Sequence, residues 1–397
     1  MYRFSQSVSS LRSSAIRDLM SLATRADMIS FAGGMPDNEL FPVNEVQTIV
    51  NEMSVTERRV AMQYGPTTGY PPLIEALTEW LRKKGFPMDS NKLIITTGSL
   101  QAINIFGKMF IDPGDVILTE NPAFIGALSA FGSYMPDIHG IDMDGDGIVI
   151  QQLKEVLLLN PKFLYITPTF HNPAGITYSQ QRRKELLEVM SGTEIPILED
   201  DAYGELYFEE DANEAIVPLK VQSENENLIC YTGSFSKIFG PGMRLGFMLV
   251  GDEFYRKAEL CKQCLDACSP TFTQVLTHRF LASGQLDNYV ARIRTIYKQR
   301  CECMIDAIKT YFPEEATFVK PKGGFYIWIK LPQGIDEMEL LKEVIAEGAV
   351  FVVGSTFDPQ GKSNGYIRVS YCNTDEEKIV KGMKIIGDTL KSKMKHN

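Results

Sequence analysis

Between about residue 70 and residue 250 the chain alternates short β-type runs with helical patterns, and this alternation constrains its fold more than any other feature. The runs are Lys92–Thr97, Asp115–Thr119, Phe163–Thr167, Ile195–Leu198, Leu228–Thr232 and Leu245–Val250. Helical intervals include Gly69–Lys83, Ser99–Phe110 and Ser179–Met190. Strands joined by crossover helices pair in parallel and carry those helices on their faces. The expected fold class is therefore α/β with a mainly parallel sheet. The gap between the fifth and sixth runs is too short for a helical crossover, so the sixth strand is expected to run antiparallel to its neighbour.

After Gly284 the pattern changes. Gln285–Thr310 reads as one long helix. It is followed by the strand-like Phe318–Lys330, a helix near Asp336–Glu347, two further strands at Val350–Val353 and Tyr366–Ser370, and a C-terminal helix. That is the pattern of a smaller α+β unit, for which a chain of 397 residues has room. Residues 1–40 hold a short helix, Ser14–Leu22, and the start of the Gly- and Pro-bearing segment Phe31–Pro42. The domain reading is an N-terminal segment over residues 1–40, a large domain over 41–285 and a small one over 286–397.

The net charge of −10 argues against nucleic acid or an anionic membrane surface as the main partner. No apolar run spans a bilayer, and the first residues lack the apolar core of a secretory signal, so a cytoplasmic location is expected. Seven cysteines do not suggest a disulfide framework. Cys261, Cys264 and Cys268 fall on a helical pattern at i, i+3, i+7, which reads as half-buried thiols on one helix face and not as a metal site.

Several strands run into polar or glycine-rich residues at their carboxyl ends, where ligands sit in open α/β sheets. These ends are Thr97-Gly-Ser-Leu-Gln101, Glu120-Asn-Pro-Ala-Phe124, Phe170-His-Asn-Pro-Ala-Gly175 and Glu199-Asp-Asp-Ala-Tyr203. The fifth is the most pointed: Tyr231-Thr-Gly-Ser-Phe-Ser-Lys237, followed by Ile-Phe-Gly-Pro-Gly-Met-Arg244. A lysine amine forms a Schiff base with an aldehyde, which is how pyridoxal phosphate is fixed to its enzymes. Ser234, Ser236 and Arg244 supply the hydroxyls and the guanidinium that a phosphate monoester needs. Ser99 and Leu100 open a helix, where unpaired N–H groups also suit an anion. The chemistry further needs an acid to hold the pyridine nitrogen protonated. Residue chemistry alone leaves Glu199, Asp200 and Asp201 open.

Taken together these motifs resemble the fold-type I pyridoxal-phosphate enzymes of the class I/II aminotransferase superfamily, nearly from end to end. Ser-x-Ile-Arg17 and Phe31-Ala-Gly-Gly34-Met-Pro36 are similar to the 2-aminoadipate/kynurenine aminotransferase-like branch. The resemblance implies a large domain on a mainly parallel seven-stranded sheet, a smaller α+β domain, and an N-terminal segment that packs with it as a lid. It makes Lys237 the Schiff-base lysine that also shuttles a proton at the substrate. Its Asp-x-Ala-Tyr spacing selects Asp200 as the acid on the pyridine nitrogen, leaving Glu199 and Asp201 as solvated acids. Tyr203 and Asn172 would bond the ring hydroxyl oxygen, and Phe124 would stack on the ring. Arg368 would clamp the substrate carboxylate, with Asn172, Gly34 and Arg17 also lining the substrate site. Tyr64 would reach the phosphate of the neighbouring subunit in a homodimer with shared active sites.

The activity implied is transfer of an amino group from a bulky amino acid (2-aminoadipate-like, aromatic or apolar) to 2-oxoglutarate by a ping-pong mechanism. A β-lyase, decarboxylase or synthase on the same cofactor is the alternative, because fold does not decide among them. The sensor domain of an aminotransferase-like transcription regulator is a third reading. It is disfavoured by the acidic charge and by a match that starts within about fifteen residues of Met1, which leaves no room for a DNA-binding domain.

Overall fold

The computed structural model describes residues 2–10, 28–209, 216–225, 227–362 and 365–396. Strands are numbered in chain order. A short β1 (Ile29–Ser30) precedes the main sheet, whose strands are β2 (Asn91–Thr96), β3 (Val116–Asn121), β4 (Asp137–Asp144), β5 (Gly147–Ile148), β6 (Leu164–Ile166), β7 (Ile197–Asp201), β8 (Ile229–Ser234) and β9 (Gly246–Gly251). Their spatial order is β2-β9-β8-β7-β6-β3-β4-β5. The run from β8 through β7, β6 and β3 to β4 is parallel. As expected from the short connection, β9 is antiparallel to β8, and it is antiparallel to β2 as well.

Seven strands make the expected sheet, and the two-residue β5 adds an eighth at its edge through an antiparallel pairing with β4. β4 itself is missing from the β-type runs read in the sequence. β5 covers only Met143 and Asp144, so most of β4 is an edge, and its residues Asp-Ile-His-Gly-Ile-Asp-Met-Asp are charged and only partly buried, the composition that keeps an edge strand from pairing with other chains.

Because both faces of the sheet are covered, the central strands read as unbroken apolar runs. Leu198 joins Ile94, Phe106, Phe163 and Met248 beneath the helices Ser99–Phe110 and Asp252–Asp266. Its neighbour Ile197 points the other way, to Leu118, Leu186 and Ile229 beneath the helix Gln180–Ser191. Cys261 and Cys264 lie on the helix Asp252–Asp266, but Cys268 does not, because Ala267 takes φ +60° and ends it. The three thiols therefore share no helix face. No group of residues that could hold a metal ion occurs among the described residues.

The C-terminal part is a second, antiparallel sheet of β10 (Thr317–Phe318), β11 (Tyr326–Lys330), β13 (Val352–Val353) and β14 (Tyr366–Ser370), in the order β10-β11-β14-β13. The intervening β12 (Ala349–Val350) pairs in parallel with β1, Ile29 opposite Ala349. The long helix Gln285–Tyr311 packs against the last helix, Glu376–His396. We propose the division at residues 40 and 285 as the domain boundaries, with β1 tying the N-terminal segment to the C-terminal unit. The expected helix Ser14–Leu22 lies outside the described residues.

Candidate active site

The carboxyl ends of β2, β3, β6, β7 and β8 open onto one cleft of about 350 Å³, closed on the far side by β11, β14 and the segment around Gly34. Lys237 stands at its floor, three residues past the end of β8. Its Nζ donates to the Gly34 carbonyl at 2.7 Å. Burial pushes the Lys237 pKa down to about 8, and the nearby Arg368 and Arg244 guanidiniums push the same way. Such an amine is available as a base close to neutral pH.

Strand alternation decides among the three acids at the end of β7. Asp200 falls on the face of Leu198, toward the cleft, while Glu199 and Asp201 fall on the other. Asp200 is 3% exposed, and its Oδ2 accepts from Tyr165 at 2.8 Å. Its Oδ1 is buried without a partner among the described residues. Burial raises its pKa to about 7, against the Tyr165 hydrogen bond, with Asp201 and Glu120 adding repulsion. The expectation that Glu199 and Asp201 are solvated is overturned for Glu199 and only in part for Asp201, which is half-buried. Glu199 is buried and accepts from the Leu219 and Lys220 amides at 2.9 Å each. Asp201 accepts from Gly204 N at 2.7 Å and from Tyr231 at 2.8 Å.

Opposite the lysine, Arg368 is 2% exposed. Its Nη1 donates to Asn172 Oδ1 at 2.7 Å and its Nη2 to the Ala32 carbonyl at 2.7 Å. Its Nε has no partner among the described residues. An orphaned donor buried in a cleft is costly unless something fills it, and a carboxylate fits a guanidinium edge of this kind.

At the third corner the helix Ser99–Phe110 begins with Gly98 at φ +80° as its N-cap. A Cβ on Gly98 would come within 3.1 Å of Arg244 Nη2, so glycine leaves the guanidinium its place beside the helix end. Arg244 itself takes φ +51° after the Gly240 turn and donates to the Thr97 carbonyl at 3.4 Å. Ser234, Ser236, Ser99 and Leu100 line the same corner. Phe124 lies against Gly126, where a Cβ would meet its ring at 2.4 Å.

Of the residues singled out in the sequence, Tyr64 is 85% exposed and does not line the cleft. Arg17 lies outside the described residues. The sequence reading missed Tyr165, Thr167, Met35 and Tyr326. The last had a usable signal in the pair Gly323-Gly324, whose bare backbone packs on Phe170 and delivers β11 to the cleft.

The residues fit pyridoxal 5′-phosphate. Asp200 Oδ1 is an unfilled acceptor for a ring N–H, the Gly98 corner suits a phosphate, and Lys237 lines the same cleft. Site and sheet together define a pyridoxal-phosphate enzyme of fold type I. Residues 26–386 match the family model for aminotransferase class I and II. The chain is 37% identical to the aromatic-amino-acid aminotransferase 1 of Thermococcus litoralis, over 99% of this chain and 95% of that one. It is 34% identical to the 2-aminoadipate transaminase of Thermus thermophilus, over 98% and 96%. The crystal structure of Pyrococcus horikoshii kynurenine aminotransferase, in complex with PMP, KYN and KYA, superposes with a TM-score of 0.94 at 36% identity, over 98% of this chain and 97% of that one. The chain belongs to the class I and II aminotransferases. Its cofactor is pyridoxal phosphate, and its substrates are amino acids and 2-oxo acids.

Proposed function

We propose that the enzyme moves the amino group of a bulky amino acid to 2-oxoglutarate by a ping-pong exchange, the donor leaving as its 2-oxo acid before the acceptor binds. The observation that carries this reading is the pair of unfilled buried atoms, Asp200 Oδ1 and Arg368 Nε, in the cleft of Lys237. Support for a bulky donor comes from the walls, where Met35, Leu100, Phe124, Ile125 and Tyr326 are apolar or aromatic. Among the described residues that line the cleft the cations are Lys237, Arg244 and Arg368. Each has a task at the lysine, phosphate or α-carboxylate, so the side-chain carboxylate of 2-oxoglutarate falls to Arg17, which the family resemblance places in the substrate site and which lies outside the described residues.

When bound, the cofactor supplies an electron sink for the charge left as the substrate loses its Cα proton. Asp200 holds a proton at the ring nitrogen through Oδ1. Tyr203 and Asn172 would bond the ring oxygen, and Ser99, Leu100, Ser234, Ser236 and Arg244, which line the same cleft, would hold the phosphate. Arg368, braced by Asn172 and Ala32, clamps the α-carboxylate and so sets which Cα bond can break. Lys237 Nζ takes the Cα proton and returns it.

The test is a panel of amino donors with 2-oxoglutarate, read as glutamate formed. Aromatic and long apolar donors are expected to lead. Donor consumed without glutamate would instead indicate a lyase or decarboxylase. Arg368→Ala is expected to raise KM for every donor by roughly a hundredfold, the scale of a lost buried charge pair.

The same reading makes the enzyme a cytoplasmic homodimer with no nucleic-acid or membrane partner. Among the described residues no helix is long and apolar enough to cross a membrane. The dimer is supported by Tyr64 and Met62, 85% and 86% exposed on one short segment outside the cleft. With Tyr64 acting in the neighbouring site, mixing Lys237→Ala and Tyr64→Ala subunits restores part of the activity, because each heterodimer holds one intact site. No recovery after proven subunit exchange would exclude a shared site.

A further inference from the structure

The hydroxyls of Tyr203 and Tyr326 lie 3.0 Å apart. Both side chains line the cleft and are buried, 5% and 2% exposed. Two phenols sharing one hydrogen bond have two protons between them, so one donates into the bond and the other has its proton left for a different acceptor. Among the described residues the Tyr326 hydroxyl has no hydrogen-bond partner besides Tyr203. Its hydroxyl is pressed over Gly34, where a Cβ would come within 1.8 Å of the oxygen. Its ring faces the Arg368 guanidinium at 4.3 Å, an aromatic support for a buried cation. A proton turned toward that neighbourhood would meet a cation and a bare Cα, so it goes to Tyr203.

We propose that Tyr326 is a positioning residue: its O–H donates to the Tyr203 oxygen, which directs the Tyr203 proton into the cleft at the bound cofactor, while its ring steadies Arg368. One side chain thereby joins the cofactor side of the site to its carboxylate clamp. The inference rests on the reading of Lys237 and Tyr203 given above. A hydrogen bond received from a neighbour makes a hydroxyl a stronger donor, since the two bonds polarise each other. A bond given to the cofactor's ring oxygen favours the anionic, proton-free form of the bound chromophore.

Removing only the Tyr326 hydroxyl weakens that donation and raises the pH at which the chromophore changes colour. In cofactor-loaded Tyr326→Phe the absorbance titration is expected to move up by about half to one pH unit, the size of one modest hydrogen bond. Turnover falls roughly five- to tenfold, again one hydrogen bond, with donor KM little changed because the ring under Arg368 is kept. In a Tyr203→Phe background the same substitution is expected to leave the midpoint where Tyr203→Phe alone puts it, because the two groups act as a unit. A midpoint unmoved in Tyr326→Phe, or shifts that add in the double variant, overturns the inference while leaving the function intact. A parent protein with no cofactor band at any pH overturns the reading of Lys237 and this inference with it.

Discussion

Lys237→Ala is expected to lower turnover by at least about four orders of magnitude, the upper end of what a positioned acid–base group contributes. Two roles are removed at once. The alanine variant has no amine to hold the cofactor covalently, and none to move a proton at the substrate Cα. Borohydride reduction of the parent protein followed by peptide mapping is expected to place the cofactor on the peptide containing Lys237, and label on another lysine would sink the assignment. The pH dependence follows from burial. With its pKa lowered to about 8, Lys237 is mostly protonated at pH 7 and mostly free amine at pH 9. Only the free amine attacks an aldehyde. Cofactor-stripped protein should therefore take up pyridoxal phosphate faster as pH rises, levelling off above about 8, whereas an unperturbed lysine would keep accelerating toward its ordinary range.

The parts of the site that were legible in the sequence are the local ones. Lys237, Ser234, Ser236 and Arg244 lie within eleven consecutive residues, where a strand end and a glycine turn bring them together. Ser99 and Leu100 were legible because a strand, a glycine and a helix follow one another without interruption. The opposite wall was harder. Tyr326 and Arg368 reach the cleft through the pairing of β11 with β14, in which Trp328 stands opposite Arg368 and Tyr326 opposite Ser370. That register is tertiary information. Arg368 was reached only through family resemblance, and Tyr326 not at all. Tyr165 was hidden for a different reason. In a strand buried on both faces, a tyrosine bonding a carboxylate looks like any other core aromatic until the neighbouring strand is in place.

Burial does not single out the catalytic acid. Glu199 and Asp200 are both pushed up to about 7, and Asp201 is raised as well, in each case chiefly by loss of water. Partnering does. Glu199 has both oxygens engaged by backbone amides, with the Arg183 guanidinium at 3.8 Å, and Asp201 has both engaged by Gly204 and Tyr231. Only Asp200 among the three keeps a buried oxygen without a partner, and only it lines the cleft. Asp200→Asn is nearly isosteric and keeps the cavity shape but removes the charge that holds a proton on the ring nitrogen. It is expected to retain the cofactor band while turnover falls by about a thousandfold, the scale of one lost preorganised electrostatic contact. Asp201→Asn should leave turnover within about threefold. Its cost should appear instead as a lower melting temperature, because the Tyr231 hydroxyl and the Gly204 amide lose a charged acceptor worth about 1–3 kcal/mol. If Asp201→Asn loses activity and Asp200→Asn keeps it, the acid has been placed on the wrong face of β7.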